Sequence, residues 1–168
     1  MLHNEPVSDQ EGFYAAGISE PGISQPGINV TMLLCDHVTV AEGKFYINGG
    51  GWSVTGPNPT PMGIALLIGV PWSSAGSDVH FRLQLVLTDG HPVLAGAATG
   101  GGPIAVEGNV HVDSPVGMSP GAHFDVPLAI NFPALELPVG ERLIWELELN
   151  GQRDSGWRLP FHTRSAHK

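Results

Sequence analysis

Apolar and polar residues alternate with a two-residue period along most of this chain. From Val79 to Leu87, the side chains of Val79, Phe81, Leu83, Leu85 and Leu87 fall on one side. His80, Arg82 and Gln84 fall on the other, with Val86 as an apolar exception, and Thr88-Asp89-Gly90-His91 follows. Alternation is what a strand buried on one face requires, and Asp-Gly tolerates the positive φ of a tight turn, so the segment predicts a hairpin. Leu143, Trp145, Leu147 and Leu149 repeat the pattern against Ile144, Glu146, Glu148 and Asn150, and Asn150-Gly151 is a second hairpin turn. Trp157, Leu159 and Phe161 close the chain with the same period.

Earlier strands are predicted at Val30–Cys35 and Lys44–Ile47. The second ends at Asn48-Gly49-Gly50-Gly51 and resumes at Trp52-Ser53-Val54 after a bulge or wide turn. Gly56-Pro57-Asn58-Pro59-Thr60-Pro61 reads as a rigid loop. Met62–Val70 is nearly unbroken in apolar residues, which predicts a central strand covered on both faces. Val93–Ala98 is expected to return from the Asp89-Gly90 turn, and Ile104–Val112 alternates weakly. Phe124–Phe132 contains Pro127, which lacks the N–H that a ladder needs and so points to a sheet edge. About eight short strands at the usual spacing of roughly 8–12 residues, without a helix, predict an all-β fold. The expected architecture is a single antiparallel β-sandwich, immunoglobulin-like or C2/jelly-roll-like, with a closed barrel as the alternative.

Residues 1–28 differ from the rest. They carry Glu5, Asp9, Glu11 and Glu20 but no Lys or Arg, and they repeat a Pro-Gly-Ile unit at 21–23 and 26–28. Each Pro-Gly turns or kinks the chain, so this segment reads as an acidic arm or linker. The expected division is arm 1–28, sandwich 29–164 and tail 165–168. As a free tail the arm would have no site. As a clasp on a neighbouring chain it would anchor through Phe13, Tyr14, Ile18, Ile23 and Ile28.

The chain has 168 residues, enough to bury a core without disulfides or metals. Charged residues make up 14%, against about 25% in an average domain. The net charge of −9 disfavours phosphate contacts with nucleic acid and binding to anionic membrane surfaces. Gly 23 and Pro 15 fit turns and short strands rather than helices. Cys35 is the only cysteine and sits in an apolar run, as a small core residue would. The absence of disulfides, of a signal sequence and of a run long enough to span a bilayer predicts a cytoplasmic protein, or a virion component if phage-encoded.

Catalytic patterns are sparse. His111 and Asp113 share a strand face, and His123 could add a third metal ligand, but a cupin-like set would also need a suitably placed Glu. Glu146 and Glu148 could pair as glycosidase carboxylates, yet they occupy the wet side of an amphipathic strand. No nucleophile elbow and no phosphate loop is present. Trp145 and Trp157 are in phase with core leucines, whereas Trp52 and Trp72 lie at strand ends and could stack on a sugar or another small ligand. The polar face of His80, Arg82 and Gln84 is a further place for a partner to bind.

Two stretches resemble a known group. One is Leu34-Cys35-Asp36-His37 through Gly43-Lys44-Phe45-Tyr46-Ile47-Asn48-Gly49-Gly50-Gly51-Trp52. The other runs from Gly140-Glu141-Arg142-Leu143 through Asn150-Gly151 to Leu159-Pro160-Phe161. Together they resemble a family of uncharacterised β-sandwich proteins common in actinobacteria, over about residues 30–162. The resemblance implies a β-sandwich and a bacterial or phage setting, and it implies no activity or site.

The sequence therefore predicts a non-enzymatic interaction or structural module without a cofactor. Its partner would be a protein, either a second copy or a neighbouring chain in an assembly such as a phage particle. The alternatives are a carbohydrate or small-ligand binder at Trp52 and Trp72, and a metal-dependent enzyme.

Overall fold

A computed structural model describes residues 27–96, 101–113, 116–117, 119 and 121–165. Ten strands follow in chain order: β1 (Asn29–Cys35), β2 (His37–Ala41), β3 (Lys44–Asn48), β4 (Val54–Thr55), β5 (Met62–Pro71), β6 (Asp78–Leu87), β7 (Ala105–His111), β8 (His123–Phe132), β9 (Arg142–Leu149) and β10 (Gln152–Thr163). One 3-10 turn at Trp72–Ser74 is the only helical element among the described residues. They form three sheets: a three-stranded sheet β1-β5-β8, a five-stranded sheet β4-β10-β9-β6-β7 and a two-stranded hairpin β2-β3. The five-stranded sheet curls into a half-barrel. Every pairing is antiparallel except the two-residue match of β4 with the end of β10.

The period-two pattern is what joins the two larger sheets. Ile64, Leu66, Ile68 and Val70 of β5 are buried in one cluster with Leu83 and Leu85 of β6, Leu143, Trp145, Leu147 and Leu149 of β9, and Phe161 of β10. Fully burying each such side chain is worth about 1.5–3 kcal/mol. Phe132 of β8 stacks on Trp145 of β9 at 4.6 Å, linking the two sheets through their aromatic rings.

β5 is the central strand of its sheet and is covered on both faces, as its apolar run predicts. The outward set is different in size: Gly63, Ala65, Leu67 and Gly69. Ala65 packs with Cys35, Val38, Phe45 and Ala129 in a second small cluster beneath the β2–β3 hairpin. Gly63 permits that close approach, because a Cβ there would lie 2.9 Å from both Asn131 Oδ1 and Cys35 Sγ. β8 is an edge strand, with Pro127 opposite Leu67.

Three expectations need correction. The described residues form ten strands rather than about eight. β2 is the unforeseen strand: it is joined to β3 by Glu42-Gly43, whose φ angles are 52° and 70°. Glutamate seldom takes a positive φ, so the sequence carries no ordinary turn signal at this point. Of the expected return over Val93–Ala98, the described residues 93–96 form no strand. The Asp89-Gly90 turn forms, with Leu87 N–H donating to His91 C=O at 2.9 Å, and Val93 N–H reaches Leu85 C=O. The return is reduced to two isolated bridges, Val86 with Pro92 and Leu94 with Pro103. β7 then takes over the edge of β6, with register Asp78↔His111 through Gln84↔Ala105. Residues 97–100 lie outside the described set. No helix among the described residues is long and apolar enough to cross a membrane.

Candidate functional site

Two neighbouring features arise where β1 leaves the three-stranded sheet. At Asp36 the chain bends into β2, and the bend is fixed by Asp36 N–H donating to Asn48 C=O at 3.0 Å. Gly51 N–H donates to Leu34 C=O at 2.7 Å, tying the segment after β3 to β1. The β2–β3 hairpin lies over the outer face of the three-stranded sheet, with Val38 and Phe45 turned inward.

The first feature is the far edge of that hairpin. The two-residue turn at Glu42-Gly43 makes Ala41↔Lys44 a hydrogen-bonded pair, and antiparallel alternation then extends this to Thr39↔Tyr46 and His37↔Asn48. Val38 and Val40 of β2, and Phe45 and Ile47 of β3, therefore direct their backbone groups away from the hairpin. On the β2 side Val38 is satisfied by the Asn131 side chain. On the β3 side, neither Phe45 nor Ile47 bonds through its backbone to another described residue. Four exposed hydrophobic residues surround this edge: Leu33, Val40, Tyr46 and Ile47, with Tyr46 55% exposed. Leu33 and Ile47 converge above Gly50, where a Cβ would meet Ile47 Cγ2 at 2.8 Å and Leu33 Cδ2 at 3.2 Å.

The second feature is an open groove of about 570 Å³ on the other side of the bend. It is lined by Asp36, Trp52, Thr55, Thr60, Pro61 and Arg164, among others. β4 forms one wall, held by its pairing to the end of β10 and by Arg164 N–H donating to Thr55 C=O at 3.1 Å. Trp52 is half-buried and meets Phe161 edge-on, with centroids 6.0 Å apart and planes at 83°. Its Nε1 is buried without a described hydrogen-bond partner. The hydroxyls of Thr55 and Thr60 are 3.4 Å apart.

The residues singled out from sequence are scattered. Phe13, Tyr14, Ile18 and Ile23 lie outside the described residues. Ile28 is half-buried against the protein's own main core, so that side chain is occupied within its own chain. Trp52 and Trp72 are not brought together: Trp52 sits beside the Met62 end of β5, near Leu34, and Trp72 follows Pro71 at the other end. Trp145 is fully buried and Trp157 is partly buried.

His111 Nδ1 lies 2.7 Å from Asp78 Oδ1, and its Nε2 is 3.9 Å from Asp113 Oδ1. Asp78 raises the His111 pKa through that hydrogen bond. His123 does not join them, and no set of three or more His, Cys, Asp or Glu among the described residues is placed to hold a metal ion. Cys35 is buried, and loss of solvation pushes its thiol pKa up, away from the reactive thiolate.

Glu146 and Glu148 are each held by an arginine: Arg158 Nη2 lies 2.7 Å from Glu146 Oε1 and Arg153 Nε lies 2.8 Å from Glu148 Oε2. Arg82 lies 3.7 Å from Glu107. The polar face around Arg82 is thus a set of compensated pairs.

Tyr46, Ile47, Asp36 and Arg164 carried no signal of their own in the sequence. Asp36 and Arg164 stand at opposite ends of the chain, and no spacing rule relates them.

One family model, described as a family of unknown function (DUF6941), matches residues 30–162. No curated protein and no solved structure matches the chain.

Proposed function

We propose, from the premise that this chain belongs to the DUF6941 family of unknown function, that it is a non-enzymatic interaction module that assembles with further copies of itself. The two larger sheets act as a β-sandwich scaffold, and the working part is the open edge of β3. The observation that carries this reading is that edge, where unpaired backbone groups of Phe45 and Ile47 lie among exposed Leu33, Val40, Tyr46 and Ile47. A bare strand edge with apolar flanks is a template for strand addition, because the added chain satisfies the backbone groups and covers the side chains.

The occupant we assign is the N-terminal segment of a second copy. It supplies 26 residues ahead of the first described position, with no proline between Pro6 and Pro21. Phe13, Tyr14 and Ile18 within that stretch provide the side chains to cover Tyr46 and Ile47. Its Asp9 and Glu11 are complementary to Lys44 at the start of β3, which makes no ion pair among the described residues.

Sedimentation of the full chain across a concentration series tests the reading. Association that weakens in Tyr46→Lys supports it. A monomer at every concentration contradicts it.

A further inference from the structure

The groove beside Trp52 does not belong to the β3 edge, and its chemistry is of a different kind. We infer that it binds a neutral carbohydrate, with the sugar ring stacked on Trp52 and its hydroxyls shared between Asp36 and Arg164.

The size is suitable. About 570 Å³ falls within the range of roughly 300–1,000 Å³ found for small-molecule sites. The walls are stiff. Pro57, Pro59 and Pro61 restrict the loop that carries Thr60, so little order has to be imposed when a ligand binds. Trp52 is seated against Phe161, which fixes the indole. Because its Nε1 is buried, the part of the indole at the groove is carbon, suited to the C–H face of a sugar ring.

The polar groups complete the match. Asp36 accepts hydrogen bonds only and Arg164 donates only, while Thr55 and Thr60 can do both. A sugar hydroxyl also does both, so adjacent hydroxyls can donate to Asp36 and accept from Arg164. Neither Asp36 nor Arg164 has an ion-pair partner within 4.0 Å among the described residues, whereas Arg82, Arg153 and Arg158 all do. The two charges therefore face the same groove without neutralising each other by contact. Their sum is zero, which gives no net attraction for a phosphate or a polyanion and favours an uncharged, hydroxyl-rich ligand.

Gly49 holds this arrangement in place. Its φ is 59°, and Asp36 Oδ2 occupies the space where a Cβ would stand. Any larger residue would displace the carboxylate from the groove.

The test is a printed array of neutral glycans probed with the full chain, followed by calorimetric titration of the best glycan. Chemical-shift mapping confirms that each variant is folded. The expected result is saturable binding that weakens about tenfold or more in Asp36→Asn and in Arg164→Gln, as loss of one charge-assisted hydrogen bond predicts. Trp52→Phe, which keeps an aromatic ring against Phe161, weakens it less, and Trp72→Ala leaves it unchanged. Shifts should centre on Thr55 and Thr60. An array without binding overturns the proposal. Binding that survives both Asp36→Asn and Arg164→Gln, or that free glycine displaces, also overturns it, the last result marking a zwitterion site.

Discussion

The Asn131 side chain holds the backbone of Val38 at both ends: its Oδ1 accepts from Val38 N–H at 3.0 Å, and its Nδ2 donates to Val38 C=O at 2.8 Å. The amide thus takes the place of a neighbouring strand for one residue of β2. It fastens the hairpin to β8 at Val38, while the β3 edge has no such partner among the described residues. Asn131→Ala removes both bonds and leaves two partly buried backbone groups unpaired. The expected loss is about 1–3 kcal/mol of stability by denaturant titration. Amide exchange should quicken across residues 37–48 and stay slow in β6 and β9.

Gly63 lies beneath the same junction. Gly63→Val would drive carbon against Asn131 Oδ1, Cys35 Sγ and His37 Cα, the last at 3.3 Å from even a first Cβ. Overpacking of this kind costs about 1–3 kcal/mol. Thermal unfolding should show it, whereas Gly102→Ala, where a Cβ meets nothing within 4 Å, should be close to neutral.

Thr163 is a buried polar residue at the end of β10. Its Oγ1 accepts from Glu141 N–H at 3.0 Å and donates to Pro138 C=O at 2.5 Å. These bonds tie the 138–141 turn to the last strand. Thr163→Val keeps the shape and removes both bonds. Unfolding measurements should show a loss of about 1–3 kcal/mol, and Thr163→Ser should restore most of it.

His111 gives the pH dependence. Asp78 raises its folded pKa above the usual 6.5. A raised pKa means that the folded state binds the proton more tightly than the unfolded one. The stabilisation is complete below about pH 6.5 and is lost as pH rises through the folded value. The group is exposed, so the effect on global stability is small. NMR titration should find His111 titrating above the ordinary histidine range and returning towards it in Asp78→Asn. An unchanged pKa in that variant would contradict the pairing.

Much of the scaffold was readable because its period is two and one face of each long strand is dry. Leu143, Trp145, Leu147 and Leu149 are buried as their alternation demands, and Asn150-Gly151 turns with φ of 49° and 76°. Val86 breaks the alternation of β6 because it pairs with Ile144 of β9, and both are buried on the otherwise polar face. The hairpin β2–β3 was harder to read, since its turn uses Glu42 where Asn or Asp would have signalled it. The surface features were least legible. Leu33 and Ile47 converge only because Gly50 leaves them room, and Asp36 and Arg164 line one groove only through the pairing of β4 with β10. Such meetings depend on tertiary placement, which no local period encodes.

Acceptance by β3 of a strand from another copy would be read out by the exchange rates of the Phe45 and Ile47 amides in the full chain. Both N–H groups point out from the open edge. Strand addition gives slow exchange at high protein concentration, faster exchange on dilution, and fast exchange at all concentrations in Phe13→Asp/Ile18→Asp. Fast exchange of both amides at every concentration in the parent chain would contradict it.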